Sequence, residues 1–418
     1  MEENKERGKE LREALCMQQK HGFDKVSPEE ILAMDDYCVG YKQFLDAGKT
    51  ERECVERSIA LAKGAGFVEY TEGMALKPGD KVYYNNREKA IMLAIIGRQS
   101  LKKGSRIVAA HIDAPRLDLK QVPLYEENEL AWFKTHYYGG IRKYQWVAIP
   151  LELRGVVVMK SGQVINVSVG DGEGDPVFTI TDLLPHLGAD QSKKPLGTAI
   201  TGEGMNVLVG SFPIRGDEGS DRIKLSVLEL LNRKYGIVEE DFCSAELCVV
   251  PGFPARDVGF DASMIGAYGQ DDRVCSYAGL AALLQVEFPE HTAVCMLADK
   301  EEIGSEGVTG MKSRAFDTFM SRLCASQGVL VEDCYEKSFC LSADVTAAYD
   351  PNHAEVYDKR NSAYLNHGVG ICKYTGARGK SGASDATAEL VAFTRRVFDE
   401  NQVLWQMATL GKVDQGGG

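Results

Sequence analysis

Three carboxylates follow one apolar segment of this sequence. Residues 291–297 are apolar and partly β-branched, which predicts a buried strand. Asp299, Glu301 and Glu302 come directly after it, and Gly304 and Gly307 predict a turn. Adjacent carboxylates repel each other unless a proton or a cation lies between them. A solvated loop, or a helix N-terminus where acids are favoured, would explain the same residues, so this segment alone leaves its function open.

Three further segments place an imidazole or carboxylates at the end of a predicted strand or the start of a predicted helix. They are Ala110-His-Ile-Asp-Ala-Pro-Arg116, Gly269-Gln-Asp-Asp-Arg273 and Leu341-Ser-Ala-Asp344. Residues two apart in a strand share a face, so His111 and Asp113 can point the same way. In an open α/β sheet, ligands bind at the carboxyl ends of the strands, which is where these groups are predicted to lie.

One imidazole and several carboxylates are a reasonable ligand set for zinc, manganese or cobalt. A carboxylate shared by two metals about 3.5–4 Å apart would give a site that activates water. Such a site also needs a general base that is not a ligand, and the adjacent Glu301 and Glu302 fit that division. Each residue has an ordinary explanation as well: a core histidine, a helix cap or a turn. Four such coincidences in one α/β domain favour a shared site.

The composition bounds the class of protein. A chain of 418 residues is too long for one ordinary core, so two domains are expected, and 44% hydrophobic with 26% charged residues is typical of a globular protein. The net charge of −13 argues against a nucleic-acid partner. No apolar run is long enough to span a bilayer, and the N-terminus lacks the apolar core of a signal peptide.

The cysteines predict a reducing environment. There are eleven, an odd number, without a C-x-x-C pair. Cys248, Cys295, Cys340 and Cys372 lie in apolar runs, which is typical of buried, reduced thiols. We therefore expect a cytoplasmic protein without a cysteine-based zinc site.

The order of predicted elements favours one domain inserted into another. Residues 1–63 predict helices, with Thr50 and Glu53 fitting a capping box. Residues 81–84 and 89–96 predict strands joined at an Asn-Asn turn, and 106–113, 339–343 and 368–373 predict further strands. Residues 271–288 and 385–399 predict helices, and 181–186 a short one. We expect an α/β domain of residues 1–120 and 256–418, with residues 121–255 forming an inserted β-rich domain.

The motifs together resemble a known family. Ala110-His-Ile-Asp-Ala-Pro-Arg-Leu-Asp118, Gln270-Asp-Asp-Arg-Val-Cys-Ser276, Asp299-Lys-Glu-Glu-Ile-Gly-Ser-Glu-Gly307 and Ser342-Ala-Asp-Val-Thr-Ala-Ala-Tyr-Asp-Pro-Asn-His353 look like the aspartyl aminopeptidase family of dinuclear metallopeptidases. His136-Tyr-Tyr-Gly-Gly-Ile-Arg-Lys-Tyr-Gln-Trp146 matches its bacterial branch. The resemblance covers essentially the whole chain. It implies a zinc-peptidase-like catalytic domain, in which a mixed sheet is sandwiched between helices on both faces.

The resemblance also implies a role for each matched residue. The expected metal ligands are His111, Asp271 as the bridging carboxylate, Glu302 and Asp344. The expected catalytic residues are Glu301 as general base and Asp113 as the acid that orients the site. The expected cofactors are two divalent metal ions per subunit. Zinc is favoured, and manganese and cobalt are the alternatives.

Substrate and assembly are implied less directly. His186 resembles a histidine that the inserted domain lends to a neighbouring subunit, but an exposed helix histidine explains it equally well. Arg378 and Lys380 lie near where the family places a cation for an acidic substrate side chain, and they could be ordinary loop charges. The family implies peptide substrates with N-terminal Asp or Glu, and a homo-oligomer, a tetrahedral dodecamer. Nucleic-acid and membrane partners are not expected.

One departure concerns the C-terminus. The family's fifth ligand is a second histidine beyond the Lys412-Val-Asp-Gln-Gly-Gly-Gly418 motif, inside which this sequence stops. His353 and His367 do not occupy the matching context. For the polypeptide as written, the expectation is weakened metal loading and low activity.

These observations favour a metal-dependent aminopeptidase that uses activated water with Glu301 as the base. Two other readings stay open at this point. A metal-free carboxylate-pair hydrolase, such as a glycosidase, would use Glu301 with another acid. A non-catalytic assembly protein of the same fold would keep the architecture without turnover.

Overall fold

The computed structural model describes residues 2–18, 20–24 and 26–416. Its helices are α1 (Glu2–Leu15), α2 (Pro28–Ala47), α3 (Glu51–Gly64), α4 (Leu196–Ala199), α5 (Arg222–Tyr235), α6 (Gln270–Leu284), α7 (Ala315–Ala325), α8 (Val331–Tyr335) and α9 (Ala388–Glu400). Its strands are β1 (Val68–Glu69), β2 (Lys81–Asn86), β3 (Ala90–Ile95), β4 (Ser105–His111), β5 (Arg116–Glu127), β6 (Leu130–Tyr138), β7 (Leu151–Val158), β8 (Val164–Val169), β9 (Val207–Gly210), β10 (Ala245–Pro251), β11 (Arg256–Val258), β12 (Met264–Gly266), β13 (Thr292–Ala298), β14 (Phe339–Ser342), β15 (Val369–Ile371) and β16 (Trp405–Met407).

The described chain divides into two compact units. Residues 39–343 form the larger unit, and residues 1–38 with 344–418 form the smaller one. Both main sheets belong to the larger unit.

The first sheet is mixed and has the order β1-β2-β3-β13-β4-β14. β3 runs antiparallel to β2 and β13, whereas β4 runs parallel to both β13 and β14. The carboxyl ends of these three parallel strands therefore lie at one edge of the sheet. β3 is buried along its whole length, as expected for a strand covered on both faces.

Helices cover both faces of the first sheet, as the fold class predicted. One face packs against α2, α3 and α6 in a core that includes Phe44, Val55 and Leu280. The other face packs against α7 and α8, with Phe319 and Leu323 in its core. Alternate residues of each strand supply the two cores, because successive side chains point to opposite faces.

The second sheet is antiparallel throughout and has the order β8-β7-β10-β5-β6-β9. Its strands come from the chain between β4 and α6 and enclose a separate core that includes Phe133, Leu153 and Val249. The helix α5, which the sequence did not predict, packs against this core through Ile223.

In the smaller unit, β15 and β16 form a parallel pair and α9 lies between them in the chain. The Thr387 hydroxyl caps α9 by accepting from the Leu390 N–H at 3.3 Å. The Gly22 N–H donates to the Asn366 carbonyl at 2.6 Å, which joins the two chain segments of this unit.

Several local predictions can be compared with the structure. The capping box at Thr50 and Glu53 is present. The turn between β2 and β3 lies at Arg87 and Glu88, both at positive φ, rather than at Asn85 and Asn86, which belong to β2.

The short helix predicted at residues 181–186 is wrong: residues 181–184 are irregular and a turn begins at Pro185. Proline lacks an N–H and disfavours helical geometry at the residue before it.

The thiols are free, as predicted, but their burial differs among them. Cys248 and Cys295 are buried, whereas Cys340 and Cys372 are exposed. Cys340 belongs to β14 at the end of the first sheet's strand order, where fewer neighbours cover a strand. Among the described residues, no helix is both long and apolar enough to cross a membrane.

Candidate metal centre

The predicted chemistry is concentrated at the carboxyl edge of the first sheet. His111 is the last residue of β4, and its register partner in the parallel strand β13 is Ala298, also the last of its strand. The segments that carry Asp113 on one strand and Glu301 on the other therefore leave the sheet side by side.

His111 lies at the centre of the cluster. It is 3% exposed, and its Nδ1 lies 3.2 Å from Asp113 Oδ1. Its Nε2 lies 3.2 Å from Asp271 Oδ1 and 3.7 Å from Glu301 Oε2. The two carboxylates are about half exposed, so one side of the buried imidazole opens onto an accessible acidic surface.

Asp113 is fully buried and organises the residues around it. Its Oδ1 accepts from the Glu301 N–H at 3.1 Å, and its Oδ2 accepts from the Glu302 N–H at 3.2 Å. The Tyr138 hydroxyl donates to the same Oδ2 at 2.8 Å. One carboxylate thus fixes the backbone of both glutamates and the ring of His111 at once.

The electrostatics of the cluster favour a positive charge. Burial alone would lower the pKa of His111, but its hydrogen bonds with Asp113 and Asp271 raise that pKa to about 11. Burial, and then the charge of Asp271, raises the pKa of Glu302 to about 7. Burial would also raise the pKa of Asp113, but the hydrogen bond with His111 holds it below its usual range. Carboxylates in excess around one imidazole suit a divalent cation of the zinc, manganese or cobalt type.

A glycine leaves room for Glu302. Gly139 follows β6 at φ 72°, and a Cβ added there would lie 3.1 Å from both Cβ and Oε2 of Glu302. The absence of a side chain at this position therefore lets the Glu302 carboxylate lie against the backbone of the second sheet.

α6 braces the segment that follows β4. The Ser276 hydroxyl donates to the His111 carbonyl at 2.6 Å, and the buried Arg273 donates through Nε to the Ile112 carbonyl at 3.2 Å. These bonds satisfy the carbonyls of the last residue of β4 and of the residue after it, and they hold this part of the chain in place.

The loop that carries the two glutamates is tied at its base. Asp299 is 1% exposed and accepts from the Thr309 hydroxyl at 2.6 Å. Within the loop, the Ser305 N–H donates to the Lys300 carbonyl at 2.7 Å. Burial, and then the nearby charge of Glu51, raises the pKa of Asp299 to about 6.

Asp271 and Asp272 differ in their surroundings. Both have non-helical φ and ψ at the start of α6, and the peptide bond between them is cis. The Asp271 side chain is 54% exposed and faces His111, whereas Asp272 is fully buried. Of the two carboxylates, Asp271 is therefore the one that faces the cluster.

The remaining candidate residues are described by their own surroundings. Asp344, in the smaller unit, follows β14 by two residues and accepts from the Val345 N–H at 2.6 Å. His186 is exposed in the turn after Pro185. Lys380 Nζ pairs with Asp385 at 3.1 Å, and Arg378 has positive φ in the same loop. The roles expected for these residues stay predictions.

Sequence reasoning did not assign Tyr138 or Gly139 to the site. The signal was present in the His136-Tyr-Tyr-Gly-Gly140 motif, which supported only a resemblance. Their contribution depends on the end of β6 meeting the segments after β4 and β13, and nothing in local spacing indicates that meeting.

A buried imidazole surrounded by carboxylates at the carboxyl edge of a mixed α/β sheet suits the class of metal-dependent hydrolases. Comparison with known proteins agrees with this class. The model of the family described as aminopeptidase I zinc metalloprotease (M18) matches residues 44–418.

Close relatives share nearly the whole chain. A probable M18 family aminopeptidase 1 from Clostridium acetobutylicum is 46% identical over 97% of this chain and 89% of its own length. The crystal structure of the M18 aminopeptidase from Thermotoga maritima is 44% identical, with a TM-score of 0.91 over 96% of this chain and 89% of that one. The S. cerevisiae mApe1 dodecamer, 20% identical, shares the fold with a TM-score of 0.72 over 91% of this chain and 86% of that one.

The chain belongs to the M18 family of metalloaminopeptidases. The family match decides against the metal-free carboxylate-pair hydrolase, because the family is one of zinc metalloproteases.

Proposed function

We propose that this chain removes N-terminal residues from peptides, with preference for acidic ones, using Glu301 as the general base. The observation that carries the proposal is the position of Glu301 Oε2, 3.7 Å from His111 Nε2 on the accessible side of the cluster. Its N–H is held by Asp113, so the carboxylate is positioned beside the ligand set.

The proposed metal ligands are His111, Asp271, Glu302 and Asp344, holding two divalent ions, most simply zinc. The bound metal would supply Lewis acidity, which lowers the pKa of water and polarises the scissile carbonyl. The donor set fits such ions because it combines one imidazole with carboxylate oxygens.

Glu301 moves the proton in this scheme. Its carboxylate accepts a proton from the attacking water and returns it to the amine that leaves when the peptide bond breaks. At 44% exposure it can reach both solvent and substrate. Asp113 holds the His111 ring and the backbone of Glu301 in place during the reaction, because it contacts both.

The acidic preference is carried over from the resemblance, with Arg378 and Lys380 as the proposed cations. Lys380 is already paired with Asp385 and lies 3.7 Å from the centroid of the Tyr374 ring. A substrate carboxylate would therefore compete with Asp385 for Lys380.

We also propose assembly through the second sheet, with His186 serving a neighbouring copy. Leu183, Leu184 and Leu187 beside it are 51%, 52% and 67% exposed, which is unusual for neighbouring apolar side chains unless a partner covers them. A tetrahedral dodecamer is the assembly proposed, in line with the dodecameric yeast relative. The eleven free thiols support a cytoplasmic location.

The proposal is tested by removing and restoring the metal while comparing substrates. Chelation should abolish hydrolysis of aspartyl, glutamyl and leucyl amides, and zinc, manganese or cobalt should restore it. Reloaded protein should favour the acidic amides by about tenfold or more in kcat/KM. Activity that survives complete metal removal would refute the metal mechanism, whereas equal rates on leucyl and aspartyl amides would remove only the acidic preference.

A further inference from the structure

We propose that Tyr138 is a positioning residue for this reaction, acting through Asp113 on His111 and on the backbone of the two glutamates. This inference rests on the metal-dependent function of the cluster. It concerns a side chain of the second sheet whose hydroxyl donates to Asp113, which is neither an expected ligand nor the general base.

Both oxygens of the Asp113 carboxylate are fully occupied. Each of its oxygens has two partners: His111 Nδ1 at 3.2 Å and the Glu301 N–H at 3.1 Å on Oδ1, and the Glu302 N–H at 3.2 Å and the Tyr138 hydroxyl at 2.8 Å on Oδ2. The Tyr138 bond is the shortest of the four. Without it, Oδ2 would keep one donor, and the carboxylate could turn about its Cβ–Cγ bond.

Tyr138 is itself held in place. Its side chain is 7% exposed, and the Arg116 guanidinium carbon lies 3.9 Å from its ring centroid. Arg116 is its register partner in β5 and is fixed by Glu51 at 3.2 Å and Asp118 at 2.7 Å. The hydroxyl therefore has a defined direction, and that direction is set by the second sheet.

Together these contacts make Asp113 a joint between the two sheets. Partners of ligating residues orient those residues, and their loss typically costs about 10- to 100-fold in metal affinity or activity. Tyr138 supplies that orientation from outside the strands that carry the ligands.

The test uses Tyr138→Phe in the full chain, because phenylalanine keeps the buried ring and removes only the hydroxyl. The zinc dissociation constant, measured by competition with a chromogenic chelator, should rise about 10- to 100-fold, and kcat should fall by a similar factor while KM stays within about twofold. Tyr137→Phe is the matched control, since Tyr137 is the neighbouring, 45% exposed tyrosine and should change neither value. A zinc constant in Tyr138→Phe equal to that of Tyr137→Phe overturns the inference.

Two further measurements separate positioning from general destabilisation. The increase in unfolding temperature that zinc produces should be smaller for Tyr138→Phe than for the unaltered chain, even if the metal-free variant is less stable, because that increase depends on the zinc constant. In an Asp113→Ala background, which removes the acceptor of the Tyr138 hydroxyl, Tyr138→Phe should alter zinc affinity by less than about twofold. An equal cost in both backgrounds would show that Tyr138 does not act through Asp113. If the unaltered chain binds no zinc, the proposed function fails and this inference fails with it, whereas equal zinc binding by the unaltered chain and both tyrosine variants overturns this inference alone.

Discussion

Gly139 shows how closely single positions determine the site. Its φ of 72° lies in the left-handed region, which favours glycine, and the space beside it holds the Glu302 carboxylate. Backbone conformation and side-chain space thus both require the absence of a Cβ here. Neither requirement applies to Gly140, where a Cβ would have no atom within 4 Å.

The substitution Gly139→Ala should weaken metal binding. The added methyl group would press on Glu302, so the zinc constant should rise and kcat should fall about tenfold or more. Strain in the left-handed region should also lower the free energy of unfolding by about 1–2 kcal/mol. Gly140→Ala is the control and should behave like the unaltered chain in zinc competition and in turnover. Equal zinc binding by the two variants would mean that Glu302 is not held where the structure places it.

The residue types at the site could be predicted from the sequence, and their neighbours could not. The spacing of His111 and Asp113, two residues apart, and the adjacent Glu301 and Glu302 both occur at predicted strand ends, and the structure brings all four together. Tyr138 is different, because its role depends on a contact between sheets. Such contacts depend on tertiary packing, which the local pattern of one segment does not contain.

At the scale of elements, the first turn of α3 joins both sheets through one buried carboxylate. Glu51 pairs with Lys89, beside the turn that leads into β3, at 3.0 Å and with Arg116 of β5 at 3.2 Å. Burial alone would raise the pKa of Glu51, but Arg116 and Lys89 lower it to about 2. The ion pairs therefore stabilise the folded state as long as Glu51 is ionised.

The substitution Glu51→Gln should remove a pH-dependent part of the stability. Because the folded pKa of about 2 lies below the ordinary 4.5, the contribution is present above the ordinary value and is lost as the pH falls towards the folded one. At about pH 7 the variant should be about 3 kcal/mol less stable in urea unfolding, and the gap should narrow below about pH 4. Glu56→Gln, an exposed position of the same helix, is the control and should cost little at either pH. A gap for Glu51→Gln that stays constant or widens in acid contradicts this account.

Elements were predictable where local pattern decides, and less so where a single residue interrupts it. The strands β3, β4 and β13 and the helices α3, α6 and α9 lie where apolar periodicity placed them, within a few residues at their ends. The turn after β2 was displaced because Asn85 and Asn86 extend the strand: the Asn85 side chain accepts from the Glu88 N–H at 2.8 Å across the turn. Pro185 likewise explains why residues 181–186 form no helix, although the apolar residues around it suggested one.

At the scale of the whole molecule, the chain order explains why distant motifs share one centre. β4 and β13 are separated by the entire second sheet in the sequence, yet they are parallel neighbours in the first. The intervening chain brings the end of β6 back to the cluster, where the Tyr138 hydroxyl donates to Asp113. The second sheet therefore contributes to the metal centre as well as to the surface that we propose for assembly.

Glu301 is proposed as the general base and Glu302 as a metal ligand, and two isosteric variants test these two roles directly. Glu301→Gln should bind as much zinc as the unaltered chain by mass spectrometry, while kcat falls about 10²- to 10⁴-fold because the general base is gone. Glu302→Gln should lose zinc as well as activity, because a ligand is gone. The opposite result, full turnover or lost zinc in Glu301→Gln, would contradict the account.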